Sequence, residues 1–298
     1  MTPAQVIAFL HTDSKCANST LALVVDATGS TPRKAGALMA ISDSAITCGS
    51  IGGGQGEAHV LAALRLDPGL DSLLIDLRGG QNALGICGGQ MRVDFARPSA
   101  AQLAAAMSML KSGVPVPAAT LGFNVKNAPP LQPPPALVIA GGGHCGLALA
   151  ELAITLGYLV LIHDDRAETL NLPRGCAFSS SWQGVLALLQ GHRKPSVVLL
   201  TRSDALDVEA LQFLQAWGAS QSECAGEPWT RAFSYLGMMG SQRRIRAVQT
   251  QLAFSLAGVH APVGLPIDAQ TPAEIAVSIA AALIASRGEI RSRAKSDS

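Results

Sequence analysis

The chain has 298 residues, a net charge of +1, 48% hydrophobic and 14% charged residues, so it has the length for two domains and the apolar material for packed cores. This composition excludes intrinsic disorder. Because the net charge is near zero and only 4% of residues are aromatic, we expect neither nucleic acid nor a membrane surface as a partner. The longest apolar run, at 275–285, is too short for a bilayer, and we recognise no signal peptide, so we expect a cytoplasmic protein.

Residues 1–126 are expected to form an α+β domain, in which short apolar segments alternate with glycine-bearing loops. Its predicted elements are a helix over 3–11, a strand within 19–31, short strands within 36–42 and 45–53, a helix over 56–66, and strands over 72–77 and 91–98.

Five prolines within 127–135 indicate a stiff, extended linker that does not join a packed element. The chain after it, 136–298, alternates strands with helices, which is typical of a Rossmann-like, doubly wound parallel sheet, so the fold class is α/β. Thr271 and Glu274 form a capping box around the start of a helix over 271–286, and the tail after it reads as a solvated end. The other predicted elements are strands over 136–141, 158–164, 195–202 and 233–240, and helices over 146–157 and 208–218.

The loop between the first strand and helix of this second domain resembles a dinucleotide-binding loop. Gly141, Gly143 and Gly146 fit the spacing G-x-G-x-x-G, and Asp164 ends the next strand, where a carboxylate can hold ribose hydroxyls. His144 lies inside the loop and could contact a phosphate. The alternative is a tight turn without a ligand. Even with NAD(P) or another nucleotide bound, no acid–base pair with catalytic spacing is recognisable here.

Two loops of the first domain are candidate anion or cofactor sites. Ser30 and Arg33 lie in a turn whose hydroxyls, free amides and cations suit an anion, although a solvent-facing turn is the simpler alternative. Gly52, Gly53 and Gly54 precede a helix, and so much backbone freedom is costly unless something approaches closely. Glu57 either acts at this site or favours the helix N-terminus.

Cys87 is the strongest candidate for a functional thiol, because it stands beside Gly88 and Gly89 in a loop rather than among apolar side chains. It could serve as a nucleophile, a persulfide carrier or a soft metal ligand. The alternative is an inert structural cysteine. The six cysteines include no C-x-x-C pair, so we expect no zinc site.

Taken together, these segments resemble the XdhC/CoxI family, the accessory proteins that mature xanthine dehydrogenase and related molybdenum hydroxylases. The resemblance runs from about residue 20 to 287. It is carried by GSTPRKAGALM, GSIGGGQGE, LGICGGQ, VIAGGGHCGLALAELAITLGYLVLIHDDR, YLGMMGSQRRIRAV and GLPIDAQTPAEIAVSIAAALIA, in that order.

The resemblance implies a protein that binds the molybdenum cofactor (molybdopterin), protects it during sulfuration and helps to insert it into the hydroxylase. It implies as partners the hydroxylase, a cysteine desulfurase and a second copy of the chain in a homodimer. By the match of motifs, Cys87 contacts molybdenum or its sulfur, and Arg243 and Arg244 could hold a phosphate. For these arginines, a place on a helix surface is the alternative.

This sequence departs from the family pattern at two positions. Gln55 and Gly56 precede Glu57 where some relatives have a cysteine and a valine, and Asp204 stands where relatives often have a histidine. A two-cysteine mechanism is therefore weakened. We expect an accessory protein rather than an enzyme, and the alternatives are an NAD(P)-dependent oxidoreductase and a sulfur transferase with a persulfide on Cys87.

Overall fold

The computed structural model describes residues 1–12, 19–42, 47–79, 88–125, 128–166, 171–192, 194–221 and 228–296. The chain divides into two compact units, Met1–Pro134 and Pro135–Ser298. Among the residues described, no helix is long and apolar enough to cross a membrane.

The first unit is built on a five-stranded antiparallel sheet with the strand order β3-β2-β1-β5-β4. A register shift between Val24 and Asp26, where β1 pairs with β5, bends the strand just before it enters a loop. The elements are α1 (Pro3–Thr12), β1 (Thr20–Thr28), β2 (Leu38–Ile41), β3 (Thr47–Gly49), α2 (Gly54–Leu66), β4 (Ser72–Asp76), β5 (Gln90–Ala96) and α3 (Ala100–Lys111).

The central strand β1 buries both of its faces, because successive side chains point to opposite sides of a sheet. Leu21 and Leu23 pack into the cluster that includes α1 and α3. Ala22 and Val24 pack into the cluster that includes Val60 of α2. The sheet is therefore covered by helices on both sides, and its loops emerge at the ends of the strands.

The second unit is a parallel five-stranded sheet with the order β8-β7-β6-β9-β10. The order reverses beside β6, which lies between β7 and β9, as in a Rossmann fold. The elements are β6 (Ala136–Ala140), α4 (His144–Thr155), β7 (Leu159–His163), β8 (Ala177–Ser179), α5 (Trp182–Gln190), β9 (Ser196–Leu199), α6 (Asp204–Ala219), β10 (Tyr235–Met238), α7 (Gln242–Gln249) and α8 (Pro272–Ser296).

Helices cover both faces of this sheet. Leu137 and Ile139 of β6 pack with residues of α4 and α8. Val138 and Ala140 of the same strand pack with residues of α5, α6 and α7. This arrangement confirms the prediction of an α/β fold with an N-terminal α+β region and a doubly wound, Rossmann-like region.

The structure differs from the sequence prediction at several elements. Helix α3, whose first turn is closed by a capping box between Ser99 and Gln102, was not predicted, and neither were β8, α5 and α7. The expected capping box of α8 is present, with Thr271 N donating to Glu274 Oε2 at 2.8 Å. However, α8 continues to Ser296 instead of ending near 286, because the Glu, Arg, Ala and Lys of the tail are good helix formers.

The proline-rich segment is more closely packed than expected. Leu131 is buried in the core of the first unit and pairs through its backbone with Val116. An extended chain can still add one such bridge where a residue between prolines keeps its N–H. The predicted boundary at 126 and 127 lies outside the described residues.

Candidate functional site

Two of the predicted loops of the first unit lie directly against each other. A Cβ atom on Gly29 would lie 2.8 Å from the carbonyl oxygen of Gly88, and a Cβ atom on Gly89 would lie 2.7 Å from the Thr31 side chain. Neither position has room for a side chain, so the turn that contains Ser30 and the loop that follows Cys87 require glycine where they touch. Cys87 itself lies outside the described residues.

The third glycine loop joins the same cluster. A Cβ atom on Gly52 would lie 2.7 Å from the Pro32 ring. The turn that carries Ser30 and Arg33 is therefore packed between the loop at Gly52 and the loop at Gly88. We name residues 29–33, 50–54 and 88–89 the loop cluster of the first unit.

Glu57 organises this loop cluster from the first turn of α2. Its Oε1 atom accepts hydrogen bonds from Ser50 Oγ at 2.7 Å, from Ile51 N at 3.1 Å and from Gly53 N at 2.7 Å. The carboxylate thus takes the place that an external anion would take in a nest of amides. Because Gly53 is also the N-cap residue of α2, these contacts are compatible with both roles that the sequence allowed for Glu57.

Parts of the loop cluster remain open. Gly53, Gly54 and Gly88 have positive φ angles, and a Cβ atom on any of them would meet nothing within 4 Å. Ser30 is exposed, and Arg33 is half-buried with no side-chain ion pair among the described residues. The cluster therefore offers exposed backbone, a hydroxyl and a guanidinium on one side of the first unit.

In the second unit, the glycine loop between β6 and α4 has the tight geometry that its sequence predicts. A Cβ atom on Gly146 would clash with the carbonyl oxygen of Gly141, and one on Gly141 would clash with that of Leu200. At Gly143, by contrast, a Cβ atom would meet nothing within 4 Å. Gly143 is the N-cap of α4 and provides no side-chain hydrogen bond, so the first amides of the helix lack a side-chain cap.

Asp164 has different partners from those expected of a ribose ligand. Its side chain is only 3% exposed. Oδ2 accepts from Gly142 N at 2.7 Å and from Arg166 Nη2 at 2.9 Å, while Oδ1 accepts from Arg166 N at 3.0 Å and Nε at 2.9 Å. The hydrogen bonds from the Arg166 side chain, with those from the two amides, hold the pKa of Asp164 well below its usual value. The carboxylate thus ties the glycine loop to Arg166.

A second ion pair lies beside this one. Arg202, which follows β9, donates to both carboxylate oxygens of Asp165 at 2.6 Å. Both side chains are about half exposed, at 48% and 49%. The pair connects the carboxyl ends of β7 and β9, the two strands that flank β6.

These groups line a cavity of about 780 Å³ at the carboxyl edge of the parallel sheet. Its wall continues along α5 and α6, where the Trp182 and Phe213 rings stack with centroids 4.7 Å apart, and His163 packs on Trp182 at 4.2 Å. His163 Nδ1 also contacts the carbonyl oxygen of Ser179 at 3.0 Å. In open α/β sheets, ligands bind in the crevice outside the carboxyl ends of the strands, at the point where the strand order reverses.

The remaining predicted residues of the second unit differ from one another in exposure. His144 is the first residue of α4 and is exposed, while burial raises the pKa of the Cys145 thiol beside it. Arg243 is exposed at the start of α7 and has no ion pair in the part of the chain that the structure describes.

Arg244 is held by protein groups. Its guanidinium contacts the fully buried Asp207 at 2.6 Å, the Asp204 carboxylate at 3.4 Å and Thr201 Oγ1 at 2.8 Å. Burial raises the pKa of Asp207, and the hydrogen bonds from Thr201 and Arg244 oppose that shift. Arg244 thus links the loop that follows β9 to α6 and α7, whereas the sequence prediction has it at a phosphate.

Arg166, Arg202 and Trp182 line the cavity but were not predicted from the sequence. A signal was available, because each stands within a few residues of the end of a parallel strand and such positions meet at one edge of the sheet. For a metal, the described residues include no group of three or more His, Cys, Asp or Glu side chains that could hold an ion.

The fold and these loops define a two-unit protein with a Rossmann-type second unit. Two family models match the chain: the XdhC Rossmann domain over residues 137–283 and the XdhC and CoxI family over residues 17–66. The chain belongs to the XdhC/CoxI family.

Two curated proteins are similar to this chain in sequence. An uncharacterised Escherichia coli protein, YqeB, is 27% identical over 89% of this chain and 42% of its own length. A Bacillus subtilis protein, described as a probable subunit of xanthine dehydrogenase, is 27% identical over 54% of this chain and 45% of its own length. The chain thus spans less than half the length of these relatives.

A crystal structure described as a xanthine dehydrogenase from Bacillus halodurans has the same fold. It aligns over 98% of this chain and 97% of its own, with a TM-score of 0.75 and 22% sequence identity.

Proposed function

We propose that this chain binds the molybdenum cofactor, protects it while its terminal sulfido ligand is installed, and helps to insert it into xanthine dehydrogenase or a related molybdenum hydroxylase. Membership of the XdhC/CoxI family supports the link to such an enzyme. The observation that carries the proposal is the convergence of three glycine loops into one loop cluster in the first unit.

The residues of the loop cluster fit the polar parts of the cofactor. Molybdopterin has a phosphate, a polar pterin and a soft dithiolene–metal centre. Open backbone at Gly54 and Gly88 lets a ligand approach the main chain, and the guanidinium of Arg33 suits the phosphate. Ser30 adds an exposed hydroxyl that can donate to or accept from the pterin.

Cys87 is the residue that we propose for the metal or its sulfur. It directly precedes Gly88, which lies in the loop cluster. When bound, the cofactor would supply the soft metal centre, and a thiolate is the protein ligand that matches it. Arg33 and the open amides would hold the rest of the molecule in place.

A carrier binds and releases the cofactor without transforming it, so we propose no catalytic turnover for this chain. The proposed partners are the apo-hydroxylase that receives the cofactor, a cysteine desulfurase that provides sulfur, and a second copy of the chain in a homodimer. Glu57 holds residues 50–53 of the loop cluster by hydrogen bonds within the chain, so this part of the proposed binding surface is preformed before the cofactor arrives.

The experiment is a delivery assay with an apo-hydroxylase. Protein purified without air from cells supplied with molybdate is mixed with the apo-enzyme, and recovered hydroxylase activity is measured. Arg33→Gln should reduce delivery by lowering cofactor affinity about tenfold, since it removes a charge-assisted hydrogen bond to phosphate. Arg65→Gln, which changes an exposed arginine of α2, is the matched control and should deliver like wild type. Failure of the wild-type protein to activate the enzyme would contradict the proposal.

A further inference from the structure

The cavity of the second unit differs in its lining chemistry from the loop cluster of the first unit. Its volume of about 780 Å³ lies within the range of small-molecule sites, roughly 300–1,000 Å³. It opens where the strand order of a doubly wound sheet reverses, and the uncapped N-terminus of α4 points its amides toward it beside Gly143. These features suit a nucleotide with a phosphate at the glycine loop.

The ribose of an NAD-like ligand needs a carboxylate with free acceptor positions at the end of the second strand. Asp164 occupies that position, but its oxygens already accept four hydrogen bonds from Gly142 and Arg166. With a side chain only 3% exposed, it has no face left for a hydroxyl. Asp164 therefore acts as a positioning residue for Arg166 and for the glycine loop.

Instead of a free carboxylate at the end of the second strand, two guanidinium groups line the cavity. Arg166 is 44% exposed and Arg202 is 48% exposed, and both line the cavity. Arg166 is fixed by Asp164, whereas Arg202 is held by the half-exposed Asp165. Because both partners of the Arg202–Asp165 pair are about half exposed, solvent screens their attraction, and an incoming phosphate can replace Asp165.

We propose that this cavity binds a dinucleotide whose adenosine ribose carries a 2′-phosphate, with Arg166 and Arg202 as the residues that contact that phosphate. The pyrophosphate lies at the N-terminus of α4, and the base lies against the apolar wall that includes Trp182 and Phe213. The ligand neutralises Arg202 in place of Asp165. Two carboxylates of the cavity lining, Asp165 and Glu209, then repel an anionic ligand.

The proposal concerns binding and is independent of molybdenum, so its test uses full-length protein from cells grown without added molybdate. Titration calorimetry compares NADPH with NADH, which differ only in the 2′-phosphate. We expect NADPH to bind at least about tenfold more tightly, because charge-assisted hydrogen bonds contribute roughly 1.5–3 kcal/mol. A preference below about threefold, a preference for NADH, or no binding of either would overturn the proposal.

Two variants and a control test whether Arg202 contacts the 2′-phosphate. Arg202→Gln should lower the NADPH affinity about tenfold and leave the NADH affinity unchanged, while Asp165→Asn should raise the NADPH affinity because it frees Arg202. Both residues are exposed, so neither change threatens folding. Arg246→Gln removes an exposed arginine of α7 outside the cavity and should leave both affinities unchanged. An equal loss for NADPH and NADH in Arg202→Gln would overturn the assignment of Arg202 to the 2′-phosphate.

Discussion

Glu57 and Asp164 are acidic residues beside glycine loops, one in each unit, and each binds its own loop. Glu57 uses one oxygen to accept from two amides and a hydroxyl, without a cationic partner among the described residues. Asp164 uses both oxygens and pairs with Arg166. A carboxylate near a glycine loop can therefore bind the loop itself instead of a ligand. The cations nearby then indicate which class of ligand binds at the loop.

The two loops also differ in which glycines they need. In the second unit, Gly146 has the backbone of Gly141 directly against it, whereas in the first unit Gly53 and Gly54 face open space. Gly52 of the first loop also lacks room for a side chain, and Gly142 N of the second loop also donates to a carboxylate. The two loops therefore differ in how many of their glycines face open space.

The largest expected effect comes from adding a methyl group to the second loop. Gly146→Ala would place Cβ against the carbonyl oxygen of Gly141, so we expect the second unit to lose about 3 kcal/mol of stability in urea denaturation of the full chain. Gly143→Ala is the matched control, because its Cβ meets nothing within 4 Å and its φ of −73° suits alanine. Similar losses in both variants would contradict the steric account.

Asp164→Asn should have the next largest effect. It removes the charge that neutralises Arg166, so we expect a loss of about 2 kcal/mol at pH 7, moderated by the solvent that screens the half-exposed Arg166.

The pH dependence has a definite sign. Because the folded pKa of Asp164 is depressed below its usual 3.8, its contribution is present above that pH and is lost as the pH falls below it. In acid denaturation, the variant should therefore lose less stability below pH 3.8 than wild type does. Equal losses of stability below pH 3.8 in wild type and in the variant would contradict this role of Asp164.

Glu57→Ala tests the hydrogen-bonded loop. It leaves the amides of Ile51 and Gly53 without their acceptor, and since Gly53 is partly exposed to water we expect a loss of about 1–2 kcal/mol. Hydrogen exchange at these two amides should accelerate. Glu57→Gln keeps a carbonyl oxygen as the acceptor and should lose less. Unchanged exchange at Gly53 in Glu57→Ala would show that the loop is held by something else.

Much of the fold could be predicted because apolar periodicity reflects burial directly. The central strands of both sheets were predicted from uninterrupted apolar runs, and α8 from its capping box. By contrast, α3 is dominated by alanine and has leucine only at Leu103 and Leu110, so its amphipathic pattern is weak. The three residues of β8 are too few for a periodic signal.

The candidate sites could be predicted as loops but not as sets of contacts. Motifs identified Gly52 and Gly141 as residues of glycine loops and Asp164 as the residue at the end of the next strand. Their partners depend on the fold, since Pro32 reaches Gly52 and Gly142 N reaches Asp164 only after the chain has turned back on itself. For the same reason, no local pattern could show that Arg244 faces the buried Asp207, 37 positions away in the sequence.

The central claim is that the chain carries molybdenum cofactor at the loop cluster with the help of Cys87. The most direct measurement is the molybdenum and oxidised-pterin content of protein purified without air from cells supplied with molybdate, for wild type and for Cys87→Ala. We expect stoichiometric metal and pterin in wild type and a large loss in the variant. Thermal stability is measured alongside, so that loss of the cofactor can be distinguished from unfolding. Wild-type protein without metal and pterin would contradict the claim, and full occupancy in Cys87→Ala would contradict the role of that cysteine.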